Sequence, residues 1–114
     1  AECANEQEKF KEMHDRLFEN QNEWNSKNTD NLIILFNQYS LEMGMEKEKF
    51  DSCLKNGKHI KEIQKDLEDG RTYGVSGTPS FFIGNDEVGF MELKGAHPFE
   101  NFKNVIDTQL RKIK

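Results

Sequence analysis

The chain has 114 residues, with 21 acidic and 16 basic side chains and a formal net charge of -5. The two signs are interspersed along most of the sequence, which leaves no basic patch for nucleic acid or an anionic membrane surface. Apolar residues make up 34% of the chain, and no run of them approaches the roughly 18 residues that a membrane span needs. We therefore expect a small folded domain without a membrane span or a nucleic-acid partner.

The first helix is predicted directly at the start of the chain. Cys3, Phe10 and Leu17 lie on one stripe at helical spacing, which predicts a helix that continues to about Asn20. The chain begins without Met and already inside this pattern, which indicates a processed or truncated product.

Three further helices are predicted by apolar stripes that end near a glycine. The second helix should begin at a cap at Thr29 or Asp30 and end at Gly44. The third should lie within "EKEKFDSCLKNG", and the fourth should run from about Lys58 to Asp69.

The pattern becomes strand-like after Pro79. The segment "SFFI", a "GND" turn and the run "EVGFMELKG" predict an antiparallel hairpin, and a last helix should follow with Pro98 at its first position. The fold class is therefore α+β, mostly helical with one antiparallel hairpin. Because "FFI" is apolar on both faces, it is typical of a central strand, and the hairpin is expected to lack a partner strand.

The stretch "GVSGTPSFFI" resembles the cis-proline loop and following strand of DsbA-like proteins of the thioredoxin superfamily. The segments "ECANEQEKFKEMHDRLFENQ" and "FDSCLKNGKHIKEIQKDLEDGRTYGV" and the closing "HPFENFKNVI" resemble, in the same order, that family's helical insertion, return helix and last helix. The resemblance implies a partial thioredoxin-like fold. Residues 1–74 would be the insertion and return helix, and residues 75–114 would be the C-terminal part of the thioredoxin-like domain.

The resemblance also implies a function in protein thiol–disulfide exchange, where a cysteine of low pKa attacks or releases a substrate sulfur. Its partners would be cysteine-containing proteins or peptides and a redox protein that reoxidises the enzyme, in an extracytoplasmic compartment and without a cofactor. The substrate-binding loop would consist of Val75, Ser76, Gly77, Thr78 and Pro79. A cis Thr78–Pro79 bond is compatible with this setting, because X-Pro is the common place for one.

The sequence departs from the family in lacking a C-x-x-C motif. We expect that motif upstream of this chain, and we expect the 114 residues alone to be inactive. Two alternatives stay open. The chain could be a non-catalytic thioredoxin-like module that binds peptides, or a relative of the glutathione-transferase or isomerase type.

Cys3 and Cys53 both fall on apolar helical faces. Either they are buried free thiols that pack as small hydrophobes, or they form a structural disulfide between two helices. The oxidising compartment that the resemblance implies favours the disulfide. A second redox centre would need an exposed thiol of low pKa, which the apolar spacing does not support.

The sequence predicts no metal site, because His14, His59 and His97 are scattered and form no closely spaced ligand motif with the cysteines or carboxylates. Trp24 stands in an Asn-rich segment, where its ring either folds back over a neighbouring helix or serves as an exposed anchor for a partner. An unpaired side of "SFFI" further predicts a homo-oligomer or a strand swap through the sheet edge.

Overall fold

A computed structural model describes residues 1–113, which form seven helices and one two-stranded antiparallel sheet. The elements are α1 (Glu2–Asn5), α2 (Phe10–Glu19), α3 (Gln21–Trp24), α4 (Thr29–Glu42), α5 (Lys47–Asn56), α6 (Ile60–Thr72), β1 (Ser80–Asn85), β2 (Gly89–Lys94) and α7 (Phe99–Lys112). The predicted α+β class, mostly helical with one hairpin, is confirmed. Within these residues, no helix combines the length and the apolar character needed to cross a membrane.

The chain forms two compact units, Ala1–Lys65 and a second that begins at Asp66, so the boundary lies inside α6. The division between residues 74 and 75 rests on family resemblance instead of compactness, and it stays a prediction.

The helical unit is built around a covalent cross-link. Cys3 of α1 and Cys53 of α5 form a disulfide, with their Cα atoms 5.8 Å apart. Both cysteines belong to the buried core of this unit, together with Ala4, Met13, Tyr39, Met45 and Phe50. Of the two states left open by the sequence, the structure has the disulfide.

The prediction of one continuous first helix is wrong. Glu8 adopts a left-handed backbone conformation with φ of 59°, which ends the helical path between α1 and α2. The side chain of Gln7 holds this turn in place, because its amide nitrogen donates to the Glu46 carbonyl at 3.2 Å and its oxygen accepts from the Glu46 N–H at 2.7 Å. The apolar stripe continues across the break, so periodicity alone does not reveal it.

The start of α4 also differs from the prediction. Asn28, instead of Thr29 or Asp30, is the N-cap, and its side chain accepts from the Asn31 N–H at 2.9 Å. The short helix α3 lies in the Asn-rich segment around Trp24. Trp24 at its end donates its indole N–H to the Leu17 carbonyl at 2.8 Å, so the ring folds back toward α2.

A polar network crosses the core of the helical unit at Tyr39, which is only 2% exposed. The Tyr39 hydroxyl donates to the Glu23 carboxylate, and the Arg16 guanidinium lies 4.9 Å from the centre of the Tyr39 ring. Arg16 in turn pairs with Glu42. Burial, followed by the Glu23 carboxylate, raises the pKa of Tyr39 to about 12.

The second unit consists of the hairpin and α7, together with the end of α6. Register pairs Ser80 with Lys94 and Phe81 with Leu93. The helix α7 begins after Pro98, which is its N-cap instead of its first residue, and it packs on one face of the sheet. Phe81 and Phe102 meet there edge to face, with ring centres 4.9 Å apart.

Gln109 fixes the closed end of the hairpin to α7. Its amide nitrogen donates to the carbonyls of Ile83 at 2.8 Å and Gly89 at 2.9 Å. Gly84 is required between them, because its φ is 153° and a Cβ there would lie 1.9 Å from the Gly89 carbonyl oxygen.

Removal of the disulfide should destabilise the helical unit. For a sequence separation of 50 residues, the chain-entropy relation gives a loss of about 4 kcal/mol for the double variant Cys3→Ala, Cys53→Ala. Urea unfolding, monitored by circular dichroism, measures this loss of stability. A reducing agent should destabilise the unaltered chain and leave the double variant unchanged; equal stability of the oxidised chain and the variant would contradict the cross-link's role.

Stability should fall at high pH through Tyr39. Because its folded pKa, about 12, lies above the value of about 10 for an unfolded tyrosine, the contribution is complete below pH 10 and is lost as the pH rises toward 12. Tyrosinate absorbance during a pH titration monitors the group. Tyr39→Phe should abolish this loss of stability at high pH, and Tyr73→Phe should retain it. A loss of stability that persists without Tyr39 would contradict the assignment.

Candidate functional site

The segment between α6 and β1 leaves the helix through a left-handed glycine. Gly74 has φ of 76°, and the Val75 N–H turns back to donate to the Gly70 carbonyl at 2.9 Å. This places Val75 against the end of the helix and half-buried, while Ser76, Gly77 and Thr78 are exposed.

Two hydrogen bonds attach the next residues to the hairpin. The Ser80 hydroxyl donates to the Gly77 carbonyl at 2.7 Å, and the Gly95 N–H donates to the Pro79 carbonyl at 2.8 Å. The Thr78–Pro79 peptide bond is cis. The loop is therefore held at both of its ends by the framework of the second unit.

A surface depression of about 230 Å³ lies at this loop. It is lined by Ser76, Gly77, Thr78, Pro79, Ser80, Lys94 and Gly95. Four of the five residues predicted for the substrate loop are thus brought together, and Val75 lies outside the lining. Lys94 places an ammonium group near the depression, 3.8 Å from a Glu92 carboxylate oxygen.

The backbone of Thr78 is available for pairing with another chain. In the part of the chain that the structure describes, residues 1–113, no hydrogen bond engages the Thr78 N–H or carbonyl. Because Pro79 faces β2 and neighbouring residues of a strand alternate, Ser80 and Phe82 direct their backbone groups toward the other edge of β1. The loop and this edge together present an extended row of backbone groups.

The comparison with protein families decides the class of this fold. A family model described as Thioredoxin matches residues 1–108. The chain belongs to the thioredoxin family. No curated protein matches the sequence, and no solved structure matches it either. The superfamily in the resemblance is thereby confirmed, and its DsbA-like character belongs to the proposals below.

Both cysteines of this thioredoxin-family chain lie in the helical unit and are joined to each other. Glu6 and Lys58 line one depression with Cys53, and His59 lines another with both cysteines. The Lys58 ammonium lies 2.5 Å from a Glu6 carboxylate oxygen, and His59 Nε2 lies 3.2 Å from the same oxygen. The hydrogen bond from Lys58, with a smaller contribution from His59, lowers the pKa of Glu6.

Sequence reasoning missed the position of His59. Its ring nitrogen and the two cysteine sulfurs all lie within 4.8 Å of one another. His59 follows Cys53 by six positions and precedes Glu62 by three, spacings that are common on solvated helix faces, whereas Cys3 is 50 positions before Cys53. Only the fold brings Cys3 to the other two residues.

Proposed function

We propose that this chain is a portion of a DsbA-type protein thiol–disulfide oxidoreductase and that it contributes the helical domain and the substrate-binding loop Val75–Pro79. The observation that carries the proposal is the free Thr78 backbone beside an open depression, in a chain of the thioredoxin family. Extended peptides bind proteins by adding backbone hydrogen bonds at such an edge.

The loop's role in the reaction would be to hold the segment that flanks a substrate cysteine. A catalytic thiolate attacks one sulfur of a disulfide, a mixed disulfide forms, and the other sulfur leaves as a thiolate that takes up a proton. When substrate is oxidised, the two electrons pass from its two thiols to the enzyme's disulfide, which becomes a dithiol. A redox partner protein then reoxidises that dithiol.

The catalytic cysteines belong, on this proposal, to a C-x-x-C segment that precedes residue 1. The support is that the chain has two cysteines and both are joined in the Cys3–Cys53 disulfide, which leaves no thiolate for attack. The same disulfide supports an extracytoplasmic location for the parent protein, since such bonds persist in oxidising compartments.

The second candidate is a non-catalytic module that binds extended peptides without redox chemistry. It is favoured by the same combination of an exposed loop and fully paired cysteines. A C-x-x-C at a helix start in the complete gene supports the enzyme, and a complete gene without one supports the module. A Ser in place of the first cysteine would instead indicate a relative of the glutathione-transferase or isomerase type.

An extended peptide with an alkylated cysteine should bind at the loop. Amide NMR shifts during a titration should change at residues 76–80 and 94–95 and not in the helical unit. Thr78→Pro removes the N–H, so it should weaken binding by about two- to tenfold, the effect of one hydrogen bond worth roughly 0.5–1.5 kcal/mol.

The matched control is Thr78→Val, which keeps the backbone N–H and the branched shape and should bind like the unaltered chain. A peptide that shifts only residues of the helical unit, or equal affinities for the proline and valine variants, would count against the loop as the binding element.

We also propose that a second copy of this chain pairs with the outer edge of β1. Phe82 is 41% exposed and Phe90 is 57% exposed, and the alternation of the strand places Phe82 on the face opposite α7. Unpaired apolar strand edges recruit other strands, and two identical antiparallel edges can pair with each other.

Light scattering should show a mass that rises with concentration. Phe82→Lys places a charge on each pairing edge and should weaken association by at least about tenfold. Phe18→Lys is the control, because Phe18 is 67% exposed on α2 in the other unit. A constant monomer mass at high concentration would refute the proposed pairing.

A further inference from the structure

Three side chains with ligand atoms for soft metal ions meet at the disulfide. The sulfurs of Cys3 and Cys53 and one ring nitrogen of His59 lie within 4.8 Å of one another. Two thiolates and an imidazole are a ligand combination that Zn²⁺ uses in proteins. The expectation of no metal site rested on sequence spacing, which does not report this meeting.

Carboxylates for a fourth position lie beside the same histidine. Oxygen atoms of Glu2 and Glu62 and a ring nitrogen of His59 form a second group within 4.8 Å. Glu62 Oε2 is 3.4 Å from His59 Nδ1, and Glu6 Oε1 is 3.2 Å from His59 Nε2. One ring nitrogen is thus able to take an ion while the other donates to a carboxylate, the arrangement that orients histidine ligands in metal sites.

The bridge is reachable from the surface although both cysteines are buried. A depression of about 170 Å³ is lined by both cysteines, His59 and Glu2. Cys53 also lines a larger depression of about 710 Å³ on the side of Glu6 and Lys58. The bridge therefore borders two surface depressions.

The backbone spacing suits a shared ion. In a tetrahedral site with Zn–S distances of about 2.3 Å, two sulfurs lie roughly 3.8 Å apart. The Cα atoms of Cys3 and Cys53 are 5.8 Å apart, a separation from which two cysteine side chains can reach one ion.

We propose that reduction of the Cys3–Cys53 disulfide creates a Zn²⁺ site in which both thiolates and His59 are ligands and Glu2 or Glu62 completes the coordination. A dithiol reductant supplies two electrons and two protons, the S–S bond breaks, and the reductant becomes a disulfide. The two cysteine thiols then release their protons as Zn²⁺ binds. The oxidised chain has no thiolate to offer, so metal binding at this position reports the redox state.

Cobalt and zinc titrations test the site on the whole chain after reduction with a phosphine and its removal without oxygen. The reduced chain should bind one Co²⁺ with a thiolate-to-metal charge-transfer band, and Zn²⁺ should abolish the band. The oxidised chain should neither bind Co²⁺ at this position nor show the charge-transfer band. Zinc should also raise the melting temperature of the reduced chain, because it binds the folded state.

His59→Gln should weaken binding by at least about tenfold, comparable to the loss seen when groups that support a metal site are removed. His14→Gln is the matched control, because His14 lies on α2 and outside both ligand groups, and it should bind like the unaltered chain. Glu2→Gln and Glu62→Gln identify the carboxylate ligand, because the variant that lacks it should have the lower affinity for zinc.

A reduced chain that binds no Co²⁺, or that binds it without the charge-transfer band, would overturn the proposal. Equal affinities for His59→Gln and His14→Gln would also overturn it. If reduction unfolds the helical unit, circular dichroism decides the matter: zinc should restore the helical signal, and failure to restore it would refute the site.

Discussion

The covalent bond between α1 and α5 is the constraint on which the helical unit depends. The helix α1 has four residues, Glu2–Asn5, and a helix of one turn does not hold together by its own hydrogen bonds. Its position comes from Cys3, fixed to Cys53, and from the fully buried Ala4 beside it. The turn that follows is then close enough for Gln7 to bond both backbone groups of Glu46.

The second unit is organised differently. Its contacts are concentrated on one face of the hairpin, where Phe81 meets Phe102 and the amide of Gln109 reaches two carbonyls. The opposite face, with Phe82 and Phe90, remains exposed. On that face the Tyr73 ring lies 6.2 Å from the Phe82 ring, and among residues 1–113 the outer edge of β1 has no partner strand. The loop proposed to hold substrate lies at the end of this same strand.

The sequence was informative wherever a local pattern determines the structure. Strand alternation and turn residues predicted the hairpin, and apolar stripes predicted α4, α5, α6 and α7 within a few residues. Glu8 was not predictable, because the stripe gives no signal for a left-handed residue outside glycine. The stripes also predicted buried faces that this chain leaves open: Ile63 is 47% exposed and Leu110 is 59% exposed. Periodicity locates the apolar side of a helix and does not supply the element that covers it.

The candidate sites likewise differ in how far a local sequence pattern could predict them. The segment from Ser76 to Pro79 is continuous in sequence, so a motif could indicate it, whereas Cys3 meets Cys53 and His59 only through tertiary structure.

The carboxamide of Gln109 also sets an order of events during synthesis. It bonds the carbonyls of Ile83 and Gly89, which are 26 and 20 positions earlier in the chain. A ribosome therefore delivers the complete hairpin well before the group that ties its closed end to α7. Until then the turn at residues 86–88 relies on local contacts, in which the Asn85 side-chain oxygen accepts from the Glu87 N–H at 3.1 Å and from the Val88 N–H at 3.0 Å.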